Sequence, residues 1–411
     1  MKKSLCIETL LFLFLIKSTI IFAQEDVVGK IKFIDCYYEN ASPLTWDAIG
    51  DTAVKINLLY DYERNSINRQ CTHFNFKIAA EPGTELNLIL SGFRNIYNGR
   101  VQPRYGRQGQ PIAVFFSEDY KNWNGTPSTN VLDNSYDKQV KYTMKSGTVY
   151  VASLPVYALS HLEVFKNRII QEPLIKVFEI GETVEKRPLE IIRLGNPTAE
   201  KIVLIRGRAH AWEPGGNWAI EGMVDDYLQR AESTNIANEI CYYILPMANK
   251  DMVVRGMTRF NIKGMDLNRG WGMLADSTLA PENYYFEKFL LKLIDQNKRP
   301  DFFIDFHNDN YGNLHVPQPK ADDTNFLPKI ESFFNILNDQ TWFCSKMQHG
   351  KNTEPDRYNS ATGLYNRFNI PGIIFEFNGD RIDKLDKIPE ISDWIEMGGK
   401  LNEVFNLYFF E

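Results

Sequence analysis

The chain reads KIVLIRGRAHAWEPGGNWAIEGMVDDYLQRA from Lys201 to Ala231, and this stretch decides the fold class. It opens with a short apolar run over residues 201–205, which is typical of a buried parallel strand. From Asn217 onward, apolar side chains recur at the spacing of an amphipathic helix. A strand followed at once by a helix predicts one unit of an α/β domain. The polar residues between them then lie at the carboxyl edge of the sheet, where such domains place their sites.

The same alternation continues downstream. Residues 240–245, 302–306 and 373–377 are further apolar runs of strand length. Phe286, Phe289, Leu290 and Leu293 recur at helical spacing and mark a second helix. Residues 161–411 are therefore predicted to form a mixed, mainly parallel sheet flanked by helices.

The region before this domain has a different pattern. Residues 75–78 and 86–90 alternate between apolar and polar side chains, with a turn signal at Glu81-Pro82-Gly83 between them. Residues 112–116 and 147–154 are further strand candidates, and the stretch 122–137 is rich in Asn, Ser, Thr and Gly, which predicts a loop. We expect a small antiparallel β-sandwich domain over residues 24–160.

The first residues of the sequence predict a signal for export. Lys2 and Lys3 precede an apolar stretch over residues 10–16 and 20–23, and a polar run follows Ala23. This pattern predicts a signal peptide over residues 1–23, cleaved after Ala23, and a secreted or periplasmic protein. An uncleaved anchor is the alternative, which Lys17 disfavours because it interrupts the apolar run.

Composition narrows the functional class. The chain has 411 residues, of which 44% are hydrophobic and 24% charged, so it is globular and long enough for two domains. A formal charge of -6 disfavours nucleic acid as a partner, and no membrane partner is expected after signal cleavage. Four cysteines remain after residue 23 without metal-binding spacing, and a disulfide between Cys36 and Cys71 stays open. The sequence carries no signal for an oligomeric state.

The placement of three residues predicts a metal site. His210 and Glu213 lie in the loop between the strand and the helix quoted above, and His307 follows the apolar run 302–306. Imidazole and carboxylate are zinc ligands, and three of them with an open fourth position is the catalytic arrangement. We therefore expect one Zn²⁺ per chain. The remaining histidines lack such placement and are predicted to be structural: His73, His161, His315 and His349.

Two further features suggest catalysis. Residues 249–271 read NKDMVVRGMTRFNIKGMDLNRGW, in which Arg259 and Arg269 stand among apolar residues. Such arginines can bind a carboxylate or stabilise an oxyanion. Glu376 interrupts the apolar strand 373–377, where a buried carboxylate is costly unless it has a partner. It is either a general base or half of a buried ion pair.

The order of these motifs resembles the zinc metallocarboxypeptidases of the carboxypeptidase A type. The resemblance covers residues 190–380 and consists of HAWE, NKD followed by GxxR, DLNR, a DFH strand and a late-strand Glu. The DFH motif and the β-rich domain that precedes it are closest in appearance to the cytosolic carboxypeptidase-like branch of this family.

The resemblance implies a role for each residue. It makes His210, Glu213 and His307 the zinc ligands, Glu376 the general base, Arg259 the group that polarises the scissile carbonyl, and Asn268 and Arg269 the pair that holds a terminal carboxylate. A substrate-contacting tyrosine would be Tyr358 or Tyr365. The expected reaction is hydrolysis of the last bond of a peptide with a free C-terminal carboxylate, by zinc-activated water with Glu376 as base.

Two other functions stay open. A zinc amidohydrolase on the same scaffold could act on cell-wall peptides or on N-acyl amino acids with the same zinc and base. A non-catalytic binding protein would need a missing ligand or base, and none is missing from the sequence. The β-rich domain could bind a partner or glycan, or shape the cleft.

Overall fold

The protein is described by a computed structural model over residues 29–64, 68–97, 100–103, 111–131, 136–350 and 354–411. The predicted signal peptide and its cleavage site lie outside these described residues. Within them, no helix combines the length and the apolar character needed to cross a bilayer. The cysteines of the described part are free thiols, so the bridge between Cys36 and Cys71 is not formed.

The first half of the described chain is built from short strands. They are β1 (Ile31–Asp35), β2 (Leu44–Ala48), β3 (Ala53–Leu58), β4 (Asn68–Arg69), β5 (Asn75–Ala80), β6 (Glu85–Ser91), β7 (Arg94–Tyr97), β8 (Arg100–Pro103), β9 (Ala113–Ser117), β10 (Asn124–Pro127), β11 (Thr129–Asn130), β12 (Lys138–Thr143) and β13 (Thr148–Ala152).

These strands form two five-stranded sheets, in the orders β1-β5-β13-β9-β10 and β11-β12-β6-β3-β2, and a small sheet β4-β7-β8. Apolar side chains of both larger sheets meet in one core, as in a sandwich. The pairing is antiparallel except between β3 and β6, which run parallel. The predicted loop 122–137 was wrong in part, because it contains β10 and β11. Both are exposed edge strands, so they lack the apolar alternation that identifies a strand.

The second half alternates strands with helices. Its strands are β14 (Ile175–Glu182), β15 (Pro188–Leu194), β16 (Lys201–Gly207), β17 (Ile240–Leu245), β18 (Phe302–Asp309), β19 (Asn313–Val316), β20 (Met347–His349) and β21 (Gly372–Asn378). Its helices are α1 (Leu159–Ile169), α2 (Gly215–Ala231), α3 (Ile236–Glu239), α4 (Lys250–Val254), α5 (Pro281–Asp295), α6 (Phe326–Gln340), α7 (Ser360–Phe368) and α8 (Ile391–Phe410), with 3₁₀ turns at Pro355–Arg357 and Asp383–Leu385.

These strands form one eight-stranded sheet in the order β14-β15-β17-β16-β18-β21-β19-β20. The central four strands, β17-β16-β18-β21, are parallel. One apolar cluster buries α2, α6 and α8 on one face, and a second buries α5 and α7 on the other. The predicted α/β class with a mainly parallel sheet is confirmed. One detail differs, because β18 continues two residues beyond His307.

The two halves share a continuous core. Buried side chains of the sandwich, of α1 and of the large sheet belong to one apolar cluster. The predicted division at residue 160 falls in the first turn of α1. The sandwich therefore packs directly against the α/β part.

Candidate metal centre and catalytic cleft

The loop between β16 and α2 places two of the predicted zinc ligands beside the third. Helix α2 begins at Gly215, whose N–H donates to Asn308 Oδ1 at 2.7 Å. A Cβ atom on Gly216 would lie 2.5 Å from the Cβ atom of Phe306, so only glycine permits this approach to β18. Because the helix starts so close to β18, the loop that precedes it brings His210 and Glu213 next to His307.

The structure brings the three ligand candidates together at one buried point. His210, Glu213 and His307 each direct one ligand atom into a cluster whose members all lie within 4.8 Å of one another. The Nδ1 atoms of the two histidines are 3.1 Å apart. Glu213 Oε1 is 2.9 Å from His210 Nδ1, and Glu213 Oε2 is 2.7 Å from His307 Nδ1. In a tetrahedral zinc site, two ligand nitrogens are about 3.3 Å apart, so the spacing fits zinc.

The electrostatics of this point also favour a cation. Burial by itself disfavours the charged form of His307, but Asp305 and Glu213 raise its pKa to about 10. Burial disfavours the charged form of Glu213 as well, yet His210 and His307 hold its pKa well below the usual value. The cluster thus stabilises positive charge between the imidazoles and the carboxylate, where a metal ion would stand.

Each of the two imidazoles faces a carboxylate with its outer nitrogen. His210 Nε2 is hydrogen-bonded to Asp266 Oδ1 at 3.2 Å. His307 Nε2 lies 3.1 Å from Asp305 Oδ2, at ion-pair distance. Such partners keep the proton on Nε2 and leave Nδ1 free to bind a metal.

Each carboxylate is held in turn by an arginine. Arg259 donates from Nε and Nη2 to Asp266 Oδ2, at 2.9 and 2.7 Å. Arg206 pairs with both oxygens of Asp305, and its guanidinium lies over the Trp271 ring at 4.7 Å. Two Arg–Asp–His chains therefore converge on the same point.

Sequence reasoning missed part of this arrangement. The sequence motifs contain Asp266 and Asp305 but predict no role for either residue, and no motif marks Arg206. One signal was present, because Asp305 and His307 are two residues apart in a strand and so share a face. No comparable local signal links Asp266 to His210.

Glu376 lies on β21, the strand next to His307. The two residues are direct partners in the parallel register of β18 and β21. The Glu376 side chain is 15% exposed, and its Oε1 atom is 3.7 Å from His315 Nε2. It thus stands at the carboxyl edge of the sheet, next to the strand that carries His307.

His315 was predicted to be structural, and its Nε2 atom lies 3.7 Å from Glu376 Oε1, next to the proposed site. Burial lowers its pKa to about 4, and the charges of His307 and Arg269 act in the same direction. His315 is therefore neutral at ordinary pH. By contrast, His161 Nδ1 accepts the Ala158 N–H at the start of α1, which is a structural contact.

The residues predicted to hold a terminal carboxylate follow Asp266 in sequence. Asn268 Oδ1 accepts from Ser360 N at 3.1 Å, and Ser360 Oγ lies 3.4 Å from the same oxygen. The Arg269 side chain is half-buried, and its Nη1 donates to Asn268 O at 2.6 Å. Ser360 Oγ also donates to Asp305 Oδ2 at 2.6 Å. The segment that carries Asn268 is thus tied to the carboxylate beside His307.

The two candidate tyrosines occupy different places. Tyr358 is half-buried, and its backbone oxygen accepts from Trp271 N at 3.1 Å, so it lies beside the segment that holds Asn268 and Arg269. Tyr365 is buried on α7, where its hydroxyl donates to Asp323 Oδ2 at 2.9 Å. Of the two, Tyr358 is the one next to the predicted substrate-binding residues.

Comparison with known proteins matches part of the chain to a family. Residues 164–353 match the model of the family Peptidase_M14, zinc carboxypeptidase. The chain is 26% identical over 168 residues to mouse cytosolic carboxypeptidase 6, covering 37% of this chain and 31% of that protein. It is 22% identical over 247 residues to the Caenorhabditis elegans cytosolic carboxypeptidase 6, covering 54% and 53%. The chain thus spans less than two thirds of the length of these relatives.

Solved structures share the fold over almost the whole chain. A metallo-carboxypeptidase from Burkholderia cenocepacia superposes with a TM-score of 0.80 at 18% identity, covering 92% of this chain and 98% of that one. A metallo-carboxypeptidase from Pseudomonas aeruginosa, in complex with (2-guanidinoethylmercapto)succinic acid, has a TM-score of 0.74 at 18% identity, covering 91% and 98%. At this identity the likeness concerns the fold, including the β-rich part.

Proposed function

We propose that this chain, whose residues 164–353 match the zinc carboxypeptidase family Peptidase_M14, removes single residues from the C-terminus of peptides. The observation that carries the proposal is the convergence of His210, Glu213 and His307 on one buried point. Two orienting carboxylates behind the imidazoles support it further.

His210 and His307 would hold the zinc through Nδ1, and Glu213 would hold it through a carboxylate oxygen. When bound there, zinc acts as a Lewis acid and lowers the pKa of a coordinated water to about 7. Three tasks remain for the side chains of this chain: moving a proton, stabilising the oxyanion and placing the substrate.

We assign proton movement to Glu376. Its carboxylate would take a proton from the attacking water and return it to the nitrogen of the departing amino acid. The support is its place on β21, opposite His307 in the parallel register and near the carboxyl end of the strand. A positioned general acid–base of this kind contributes about 10²–10⁴ in rate.

We assign the oxyanion to Arg259 and the substrate's terminal carboxylate to Arg269 and Asn268. Arg259 is fixed on Asp266 by two hydrogen bonds, so its guanidinium is held ready for a developing negative charge. Arg269 follows Asn268 directly, and a guanidinium fork binds a carboxylate through two parallel hydrogen bonds. Tyr358 would contact the substrate from the neighbouring segment.

We also propose that the protein acts after export, on peptides outside the cytosol. The support is the sequence of residues 1–23 with its positive start, apolar stretch and Ala23. The curated relatives carry the word cytosolic in their names, so export would set this chain apart from them.

The reaction is tested by incubating the zinc-loaded protein with an unmodified peptide and following its mass. We expect a ladder of products, each shorter by one C-terminal residue. Removing the metal with a chelator should stop the ladder, and adding zinc should restore it. Cleavage at internal bonds, or no cleavage of a range of peptides, would contradict the proposal.

A further inference from the structure

We propose that the β-sandwich is part of the active site, because Asp61 positions the backbone that carries Arg259. This inference rests on the proposed function, in which Arg259 stabilises the oxyanion. The segment concerned is the Arg259 loop, defined as residues 255–264, which follows α4. Asp61 lies in the sandwich, shortly after β3.

Asp61 accepts hydrogen bonds from three successive backbone amides of the Arg259 loop. Its Oδ1 accepts from Thr258 N at 2.9 Å, and its Oδ2 accepts from Arg259 N and from Phe260 N, the latter at 3.1 Å. The Asp61 residue is only 5% exposed. A buried carboxylate that joins three consecutive N–H groups fixes the course of the backbone there.

The charge of Asp61 suits this arrangement. Burial raises its pKa to about 6, although the three amide donors and the charge of Arg259 act to lower it. At neutral pH the carboxylate is therefore ionised and acts only as an acceptor, which is what three N–H groups require.

The loop is docked at both ends against the backbone of the sandwich. Gly256 has φ +61°, and a Cβ atom there would lie 2.1 Å from Ala41 O. Gly264 has φ +78°, its oxygen accepts from Arg64 N at 3.0 Å, and its Cβ atom would lie 2.9 Å from that nitrogen. Only glycine permits either contact, so the close docking depends on both positions.

The helix that leads into the loop is also held by the sandwich. Asn40 N donates to Val254 O at 3.0 Å, and Asn40 Nδ2 donates to Val253 O at 2.7 Å. Both oxygens belong to the last turn of α4, where carbonyls lack the regular helical donor four residues on, and Val253 O also accepts from Gly256 N at 3.2 Å. The sandwich therefore sets where α4 ends and where the loop begins.

Thr258 extends the contact from the sandwich to the metal ligands. Its Oγ1 accepts from Thr72 N at 3.3 Å and from His73 N at 3.2 Å, both in the sandwich. Its backbone oxygen accepts from Trp212 N at 3.1 Å. Trp212 lies between His210 and Glu213 in sequence, so Thr258 joins the sandwich to the loop that supplies two ligands.

Loss of Asp61 should affect stabilisation of the transition state more than binding of the substrate. A displacement of the Arg259 backbone moves its guanidinium away from Asp266 and from the reacting carbonyl. Misplacing a catalytic group by about 1 Å can cost about 10²-fold in rate. The proposed grip on the terminal carboxylate uses Asn268 and Arg269, which Asp61 does not contact.

The test is steady-state kinetics of Asp61→Ala on a peptide with a free C-terminus. We expect kcat to fall about 10- to 100-fold, KM to change less than about 3-fold, and the zinc content to stay at the wild-type level. The kcat of Asp61→Asn should lie between those of the wild type and Asp61→Ala, because the amide keeps one oxygen acceptor. If Asp61→Ala does not fold, Asp61→Asn serves for the same comparison. The matched control is Asp47→Ala, an exposed carboxylate of the same domain, which should match wild type.

A double mutant separates positioning from a general effect on the fold. If Asp61 acts through Arg259, Asp61→Ala should cost less than about 3-fold in a protein that already carries Arg259→Ala. The same loss in both backgrounds would overturn the proposal.

Hydrogen exchange reports on Asp61 whether or not the protein is a peptidase. The amides of Thr258, Arg259 and Phe260 should exchange slowly in the wild type and at least about 10-fold faster in Asp61→Ala. Fast exchange in the wild type, or unchanged exchange in the variant, would overturn the role of Asp61 alone. An inactive wild type with protected amides would overturn the proposed function alone.

Discussion

His307 lies two residues after Asp305 on β18, and its Nε2 atom is 3.1 Å from Asp305 Oδ2. The same carboxylate binds Arg206 and accepts from Ser360 Oγ. Asp305 is thus shared between a proposed zinc ligand and the serine that holds Asn268. This connects the metal centre to the residues proposed to bind the substrate's terminus.

Replacing Asp305 with Asn should weaken zinc binding. The amide keeps the shape but removes the charge that favours the proton on His307 Nε2. Loss of such an outer partner costs about 10–100-fold in metal affinity. Competition with a chromophoric chelator measures the zinc dissociation constant, with the exposed Asp339→Asn on α6 as control. An unchanged dissociation constant would show that Asp305 holds Arg206 and Ser360 without supporting the metal site.

The purified protein should hold about one equivalent of zinc per chain. His307→Ala should lose most of it, because two remaining ligands do not hold zinc tightly. Elemental analysis after dialysis gives the stoichiometry, and His349→Ala, an exposed histidine, is the matched control. Full retention of zinc in His307→Ala would remove this residue from the site.

Glu376→Gln should keep the zinc and lose turnover. Gln is nearly isosteric but cannot accept the proton, so we expect kcat to fall by about 10²–10⁴. Glu200→Gln, an exposed substitution of the same kind, should be silent. Peptide hydrolysis near the wild-type rate by a zinc-loaded Glu376→Gln protein would make Glu376 a structural residue.

A free C-terminal carboxylate should be required by the substrate. Amidation removes the negative charge that Arg269 would bind, so the charge-assisted hydrogen bonds from its guanidinium to the substrate are lost. We expect the C-terminal amide of a good substrate peptide to be hydrolysed hardly at all. Arg269→Ala should reduce the difference in hydrolysis rate between the free acid and the amide, because it slows hydrolysis of the free acid.

The control for Arg269→Ala is Arg299→Ala, an exposed arginine after α5. If the wild type hydrolyses the free-acid peptide and its C-terminal amide at equal rates, the proposed carboxypeptidase activity is excluded. That result would favour the amidohydrolase on the same scaffold, which recognises another part of its substrate.

The exported protein should begin at Gln24. If residues 1–23 are a signal peptide, the mass of protein recovered from the native host's secreted or periplasmic fraction corresponds to cleavage after Ala23. Recovery of soluble intracellular protein that retains residues 1–23 would contradict export and return attention to substrates inside the cell.

The fold was predictable where periodicity is strong. The run 201–205 and the helix after it gave the α/β class, because a buried strand and an amphipathic helix have distinct apolar patterns. The edge strands β10 and β11 were missed because exposed strands carry no such pattern.

The residues of the candidate site also differ in how well the sequence predicts them. His210, Glu213 and His307 stand out because a short motif and a strand end mark them. Asp61 has no such mark, since the amides that it binds lie almost two hundred residues away in sequence. Only the folded backbone brings such distant groups together.

The docking of Gly256 against Ala41 bears on how such a protein can be assembled from modules. A Cβ atom at residue 256 would collide with the sandwich backbone, so the two surfaces match at the level of main-chain atoms. An accessory domain of another origin could not replace this one merely by covering the apolar surface. It would also have to place a carboxylate within hydrogen-bonding distance of the three backbone amides of the Arg259 loop and allow the close approach of Gly256. By this measure the sandwich and the α/β part are not freely exchangeable in domain shuffling.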